Sequence, residues 1–310
     1  LYLMDRDIDW LVMSLIIITP FALYFLGEYA MRRWFFPAYS KSQESFGGHR
    51  RFSRRRKYRP HAWMWTFSKE FKTFLRDSAE WSQLFMIAAL VIVYLYNFKM
   101  LPVERSFFEE QYVTNIISFL NIGLAGFIIA SLSARFVYPS IGAEGGAFYI
   151  IQASPLPLGR FLFQKYLFYV IPFTFLALVM VIISDYLLNI EGPMWWFSVG
   201  GTLLITWTVV ALALAFGALY ADFKIENRAA ALGGMGAILF LFTAAAYEMF
   251  VIFVGFFPAY RFVAKYLRNV EYRQHDLLVL SVWLLVCILV AIVLVWYFMR
   301  KGLARLESAG

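Results

Sequence analysis

Charge is what this sequence has least of. Only 15% of its 310 residues are Asp, Glu, Lys or Arg, while 62% are hydrophobic, against about 45–50% in an ordinary soluble domain. The charges are clumped, and a mean hydropathy of +0.66 excludes a typical soluble globular chain. Cysteine is nearly absent. Cys287 stands alone inside an apolar run, so no intrachain disulfide can form and the redox compartment is not readable from cysteine usage. Histidine is scarce too. His49, His61 and His275 fall in polar segments, and none has a carboxylate or Cys at ligand spacing, so no metal site is expected. His275-Asp276 has no third group beside it, and no catalytic constellation is apparent. A G-x-x-x-x-G-K-[ST] phosphate loop is missing. The cluster Gly233-Gly234-Met235-Gly236 lacks the lysine and reads as helix packing. The opening Leu1-Tyr2-Leu3-Met4 has no basic lead-in of the kind a signal peptide needs. It has no initiator Met either, which fits a fragment or a processed chain.

Long apolar runs are abundant. A bilayer core about 30 Å thick needs roughly 20 apolar residues per helix. Seven runs meet that length: 8–30, 81–98, 113–134, 166–188, 195–220, 231–257 and 277–299. Outer-membrane strands would alternate apolar and polar residues, whereas 278–299 is almost unbroken apolar sequence. The expected fold class is therefore an all-α integral membrane protein with about seven transmembrane helices.

Of the 28 lysines and arginines, 21 fall in the loops 31–80, 135–165 and 221–230 and the tail from Arg300. The positive-inside rule places these in the cytoplasm. The N-terminus is then outside and the C-terminus inside, in a multi-pass protein of the cell inner (plasma) membrane. The net charge of +8 follows from basic cytoplasmic loops and calls for no nucleic acid. The loop 258–276 goes against the trend, with Arg261, Lys265, Arg268 and Arg273. Apolar residues between these charges suggest an amphipathic helix on the outer surface.

Three regions follow. Residues 1–30 hold one crossing, 31–60 form a basic cytoplasmic linker suited to anionic membrane lipids, and 61–310 hold six crossings. Within the third, 61–80 places Trp63, Phe67, Phe71, Phe74 and Leu75 at helical spacing with Lys69, Lys72, Thr73, Arg76 and Asp77 between them. That pattern predicts an interfacial amphipathic helix. The loop 135–165 carries Glu144 near a helix start, where a negative charge suits the dipole. Ala147, Phe148, Ile150 and Ile151 give it apolar surface, and Pro155 and Pro157 end it. A short helix with an exposed apolar side can be gripped by a partner's groove.

An interfacial helix, two crossings, a loop with a short helix and four more crossings resemble the permeases of type-2 class bacterial ABC exporters. The matching loop residues are Glu144, Gly145, Gly146, Ala147, Phe148, Pro155, Leu156 and Lys165; the family usually has Thr or Ser where Ala147 stands. The resemblance covers about 61–305. It implies a coupling helix touching a cytoplasmic ABC ATPase subunit through Glu144, Gly145, Ala147, Phe148, Ile151 and Pro155. A second contact would use the turn of Asp222, Phe223, Lys224, Glu226 and Asn227. It further implies no ATPase site or cofactor in this chain, with ATP and Mg on the partner, and a second permease half or a homodimer partner. The end of the first crossing, Tyr24-Phe25 followed by Met31-Arg32-Arg33, echoes Tyr297-Phe298-Met299-Arg300-Lys301. The first crossing is thus expected to be the tail of an upstream half in a fused large permease, a single extra helix being the alternative.

Charged and polar groups inside the runs are few. Glu248 lies well inside its run, where charge costs roughly 2.5–3.5 kcal/mol on insertion scales, and is expected to face the bundle, carry a proton or have a partner. Asp185, near a run end, is expected to be solvated at the interface. Asn121 and Thr206 are expected to bond between helices. Ala211, Ala215 and Ala218 form a small-residue face for close packing. The competing readings are an ion-coupled secondary transporter, which would want more intramembrane acids, a membrane-embedded enzyme, and a non-transporting anchor for an ATPase.

Overall fold

A computed structural model describes residues 10–35, 37, 62–76, 78–99, 110–223, 234–268, 270 and 274–308. The chain divides into two compact units, Leu1–Pro60 and His61–Gly310. In the first, α1 (Trp10–Ala30) is a 21-residue helix with Pro20 inside it, closed by a π-helical turn, Met31–Phe35. Arg32 reaches back one turn to Glu28 at 2.6 Å. The expected basic linker falls largely outside the described residues.

The second unit opens with α2 (Ala62–Arg76) and α3 (Ser78–Lys99). Helix α4 (Glu110–Phe136) follows, then two 3-10 turns, Tyr138–Ser140 and Gly142–Ala147, and the five-residue α5 (Phe148–Gln152). Four long helices complete it: α6 (Leu158–Leu187), α7 (Pro193–Leu219), α8 (Met235–Leu267) and α9 (Gln274–Ser308). No strand occurs among the described residues.

Five segments among the described residues are long and apolar enough to cross a membrane: Val113–Gly145, Leu158–Leu187, Pro193–Leu219, Met235–Leu267 and Asp276–Ser308. The run expected at 81–98 is represented by a shorter apolar helix, Gln83–Phe98. Helix α7 is the hub, packing against α4, α6, α8 and α9. Its most apolar stretch is 78% buried inside the protein, against 17% for that of α9, so α9 is peripheral. The small residues of α7 make this density possible. A methyl group added at Gly217 would overlap the backbone of Tyr138, and one added at Gly302 of α9 would lie 2.9 Å from the Ala218 side chain and from the Ala215 carbonyl. The expected small-residue face is therefore where α9 meets α7.

The segment expected to lie on the outer surface is different. Helix α8 runs on through Pro258 to Leu267, and two of the four cations that suggested a surface helix, Arg261 and Lys265, converge on Asp276 at the start of α9. Arg261 Nε lies 3.0 Å from Asp276 Oδ1, and Lys265 pairs with Oδ2. With Asp276 buried between two cations, these residues need no surface helix of their own. Residues 269 and 271–273 lie outside the described set.

Candidate functional site

The loop between α4 and α6 folds over a buried knot of charge. Lys165, on the second turn of α6, has 1% of its side chain exposed. Its ammonium lies 2.8 Å from Glu144 Oε1 and 3.0 Å from Glu70 Oε1, and it donates to the Ser140 carbonyl at 2.8 Å. The Glu70 oxygen stands within ion-pair distance without hydrogen-bond alignment. Lys69, half-exposed, closes the set by pairing with Glu144 Oε2. Two cations thus meet two carboxylates, and the cluster is neutral. Sequence supplies the setting locally. Pro139 sits inside the first 3-10 turn, whose Ser140 supplies the carbonyl. Gly145 takes φ +53°, a region glycine adopts freely, and lets the chain turn from the second 3-10 turn into α5.

The same knot fastens α2 to α6. Thr66 Oγ1 donates to Gln164 Oε1 at 2.7 Å, and the rings of Phe67 and Phe168 meet edge to face at 4.9 Å. The expected interfacial helix is therefore docked on the bundle through Glu70, a residue that sequence reasoning did not single out.

Helix α5 is held from three sides. Phe148 is buried and stacks on Phe223 at 4.4 Å between ring centroids, 17° from parallel. Gln152 Nε2 donates to the Leu306 carbonyl near the end of α9 at 2.9 Å. A methyl group at Gly142 would stand 3.1 Å from the Asp222 carbonyl, so the loop and the turn after α7 are in close approach. Outward lie Tyr149, 67% exposed, and Ile150, 57% exposed. Pro155 is exposed as well, and Ile151 and Gly145 are half-buried.

The residues expected to form the contact set are not all turned the same way. Glu144 and Phe148 do not present themselves outward. The carboxylate is consumed by two lysines and the ring by Phe223, because at five residues α5 cannot turn all its apolar side chains to one side. Tyr149 went unnoticed because a residue's outward direction depends on where the loop docks. Ala147 ends its 3-10 turn, and its surroundings lie outside the described residues. Of the second contact, Asp222 is exposed and Phe223 half-buried, while Lys224, Glu226 and Asn227 lie outside the described residues.

The intramembrane polar residues fall in two places. Asp185 is wholly buried, which corrects the expectation of interfacial solvation. Ser118 of α4 donates to its Oδ1 at 2.7 Å, and Ser198 of α7 donates to its Oδ2. One turn away, Asn121 of α4 donates to Ser184 of α6 at 2.6 Å and accepts from the Tyr94 hydroxyl of α3. Together these bonds join four helices. Thr206 does not join helices; its hydroxyl donates to the Thr202 carbonyl of its own helix at 2.7 Å. Glu248 of α8 is 4% exposed, and its Oε1 has no hydrogen-bond partner among the described residues. It faces α4 at Gly126, where an added methyl group would stand 3.2 Å from the carboxyl carbon.

The profile of a family described as "Putative ATP-binding cassette" matches residues 8–309. The chain belongs to that family. No curated protein and no solved structure matches it. At the start of α8, Gly236 is closely packed: a methyl group there would overlap the Tyr138 hydroxyl and lie 2.6 Å from Tyr220 side-chain atoms. No group of three or more His, Cys, Asp or Glu side chains among the described residues could hold a metal ion.

Proposed function

We propose that this chain is the permease component of an ATP-driven exporter, a membrane partner that converts ATP hydrolysis on a separate cytoplasmic subunit into substrate movement. It is not itself the enzyme. ATP and Mg belong to the ATPase subunit, and a second permease unit completes the path. The protein sits in the cell inner membrane with the α5 loop and the C-terminus cytoplasmic and the N-terminus outside. In this reading α1 and α3 also cross, and α2 lies in the cytoplasmic interface. A surface helix with Tyr149 and Ile150 exposed, braced from behind by a buried charge cluster, is the observation that carries the proposal. A push on such a helix passes through Glu144 and Lys165 to α6, and through Glu70 to α2, with little lost to bending.

The test is association. The full-length protein, extracted in mild detergent, should co-purify with the ATPase encoded beside it. Tyr149→Ala with Ile150→Asp should abolish the association while leaving thermal unfolding unchanged. If no ATPase binds the intact chain, or if the double variant binds normally, this reading fails. Isolated chain should bind no nucleotide in an equilibrium filtration assay.

A further inference from the structure

At the far end of α6 from the charge cluster, an open pocket of about 510 Å³ lies between the α6–α7 turn and the last turns of α8. Four aromatic side chains line it, Trp195 and Trp196 of α7 and Phe262 and Tyr266 of α8, together with Glu191. Packing holds the rings in place. Trp195 and Trp196 meet at 90° with centroids 4.7 Å apart, and Phe262 meets Phe197 edge to face at 5.8 Å. Tyr266 lies against Gly192, where φ is +73° and an added methyl group would overlap its ring, so only glycine fits there.

Glu191 is the one charged side chain lining the pocket. It is exposed and pairs with no cation among the described residues. Arg261 and Lys265, beside Phe262 and Tyr266 in the chain, pair with Asp276 instead. Helix α6 ends at Leu187 and α7 begins at Pro193, so partial charges of opposite sign meet at this turn and offset each other. A carboxylate in want of a counter-charge among electron-rich ring faces attracts a cation. The kind of cation follows from the acceptors. Indole N–H groups only donate, so of the lining side chains only Glu191 and the Tyr266 hydroxyl accept. A primary ammonium brings three donors, more than these two groups can take without water. A fully methylated ammonium brings none, and rings can close around it without leaving a hydrogen bond unmade.

We infer that this pocket binds a quaternary ammonium group, with the aromatic rings against its methyls and Glu191 as its counter-charge. The group can arrive on a free solute or on a phosphatidylcholine headgroup, and its chemistry is the same in both. The inference is independent of any ATPase.

The full-length protein in phosphatidylglycerol nanodiscs, without ATPase or nucleotide, provides the test. The probe is methyl-tritiated choline in equilibrium binding, competed by ethanolamine or by 3,3-dimethylbutan-1-ol, the uncharged carbon isostere of choline. Choline should bind, ethanolamine should compete weakly and the isostere should not compete. Trp195→Leu should weaken choline binding roughly fivefold to thirtyfold, and Glu191→Gln by up to about fivefold. Glu191 is exposed on a turn, so the second variant serves should the first fold poorly. Phosphatidylcholine nanodiscs separate the two sources: choline binding is lost there if the lipid headgroup is the occupant and unchanged if a free solute is. Choline that does not bind, an isostere that competes equally, or variants that bind normally would show interfacial aromatic anchors only and overturn the inference.

Discussion

Lys165 is the residue on which most of the site depends. Removing one partner from a buried charge cluster strands the other, at a cost of about 3–5 kcal/mol. Lys165→Met should lose that much, read by denaturant unfolding in detergent, because Glu70 and Glu144 would remain as two facing carboxylates. Lys69→Gln should cost less than about 1 kcal/mol, since Lys69 is half-exposed and screened by water. Equal effects from the two substitutions would contradict the geometry. Glu248 behaves in the opposite way. Its carboxyl is buried and its Oε1 has no hydrogen-bond partner among the described residues, so replacing it with a similar apolar group removes a burden. Glu248→Leu should leave the melting temperature unchanged or raise it, and a marked fall would reveal a partner. If Glu248 serves the transport path, the same variant stays stable while losing transport.

At the scale of elements, the close approaches are as informative as the bonds. Gly302 stands where α9 crosses α7, and Gly302→Leu should push the two helices apart at a cost of about 1–3 kcal/mol from overpacking. Hydrogen exchange should then rise in the last turns of α9 and, through the lost Gln152–Leu306 bond, in α5. The α8–α9 junction offers a second test. Asp276→Asn leaves Arg261 and Lys265 without their shared carboxylate, and exchange should increase from about residue 261 to 276 while α7 stays protected. Such element-level features are only half legible in the sequence. Long apolar runs announce α4, α6, α7, α8 and α9 because hydropathy is a local property. The docking of α2 is not local. Lys69 and Glu144 are 75 residues apart, and no periodicity says that they meet. The sequence also placed Asp185 near a helix end, where it lies, but in the wrong surroundings. Distance from a helix end gives depth, but Ser118 and Ser198 come from other helices.

At the largest scale, the unit His61–Gly310 is arranged about a central helix, α7, packed against α4, α6, α8 and α9, with the charge cluster and α5 fastened to it at one end. The architecture follows from composition: Gly, Ala and Ser where backbones approach, larger apolar residues on the outside. What composition does not convey is that the α5 loop touches the chain at four distant places. Through Lys165 it reaches α6, through Phe223 the turn after α7, through Leu306 the end of α9, and through Lys69 helix α2. Movement at α5 is therefore a movement of the assembly rather than of a loop.

The burial of the charge cluster has one more consequence. Ion pairs on a protein surface weaken as electrolyte is added, because mobile ions gather around each charge within about 10 Å at 0.1 M ionic strength. Lys165, Glu144 and Glu70 are closed to such ions, each with 6% or less of its side chain exposed. The surface pair of Arg32 and Glu28, with 76% and 38% of its side chains exposed, should weaken in concentrated salt, while the brace behind α5 holds through the same titration with sodium chloride.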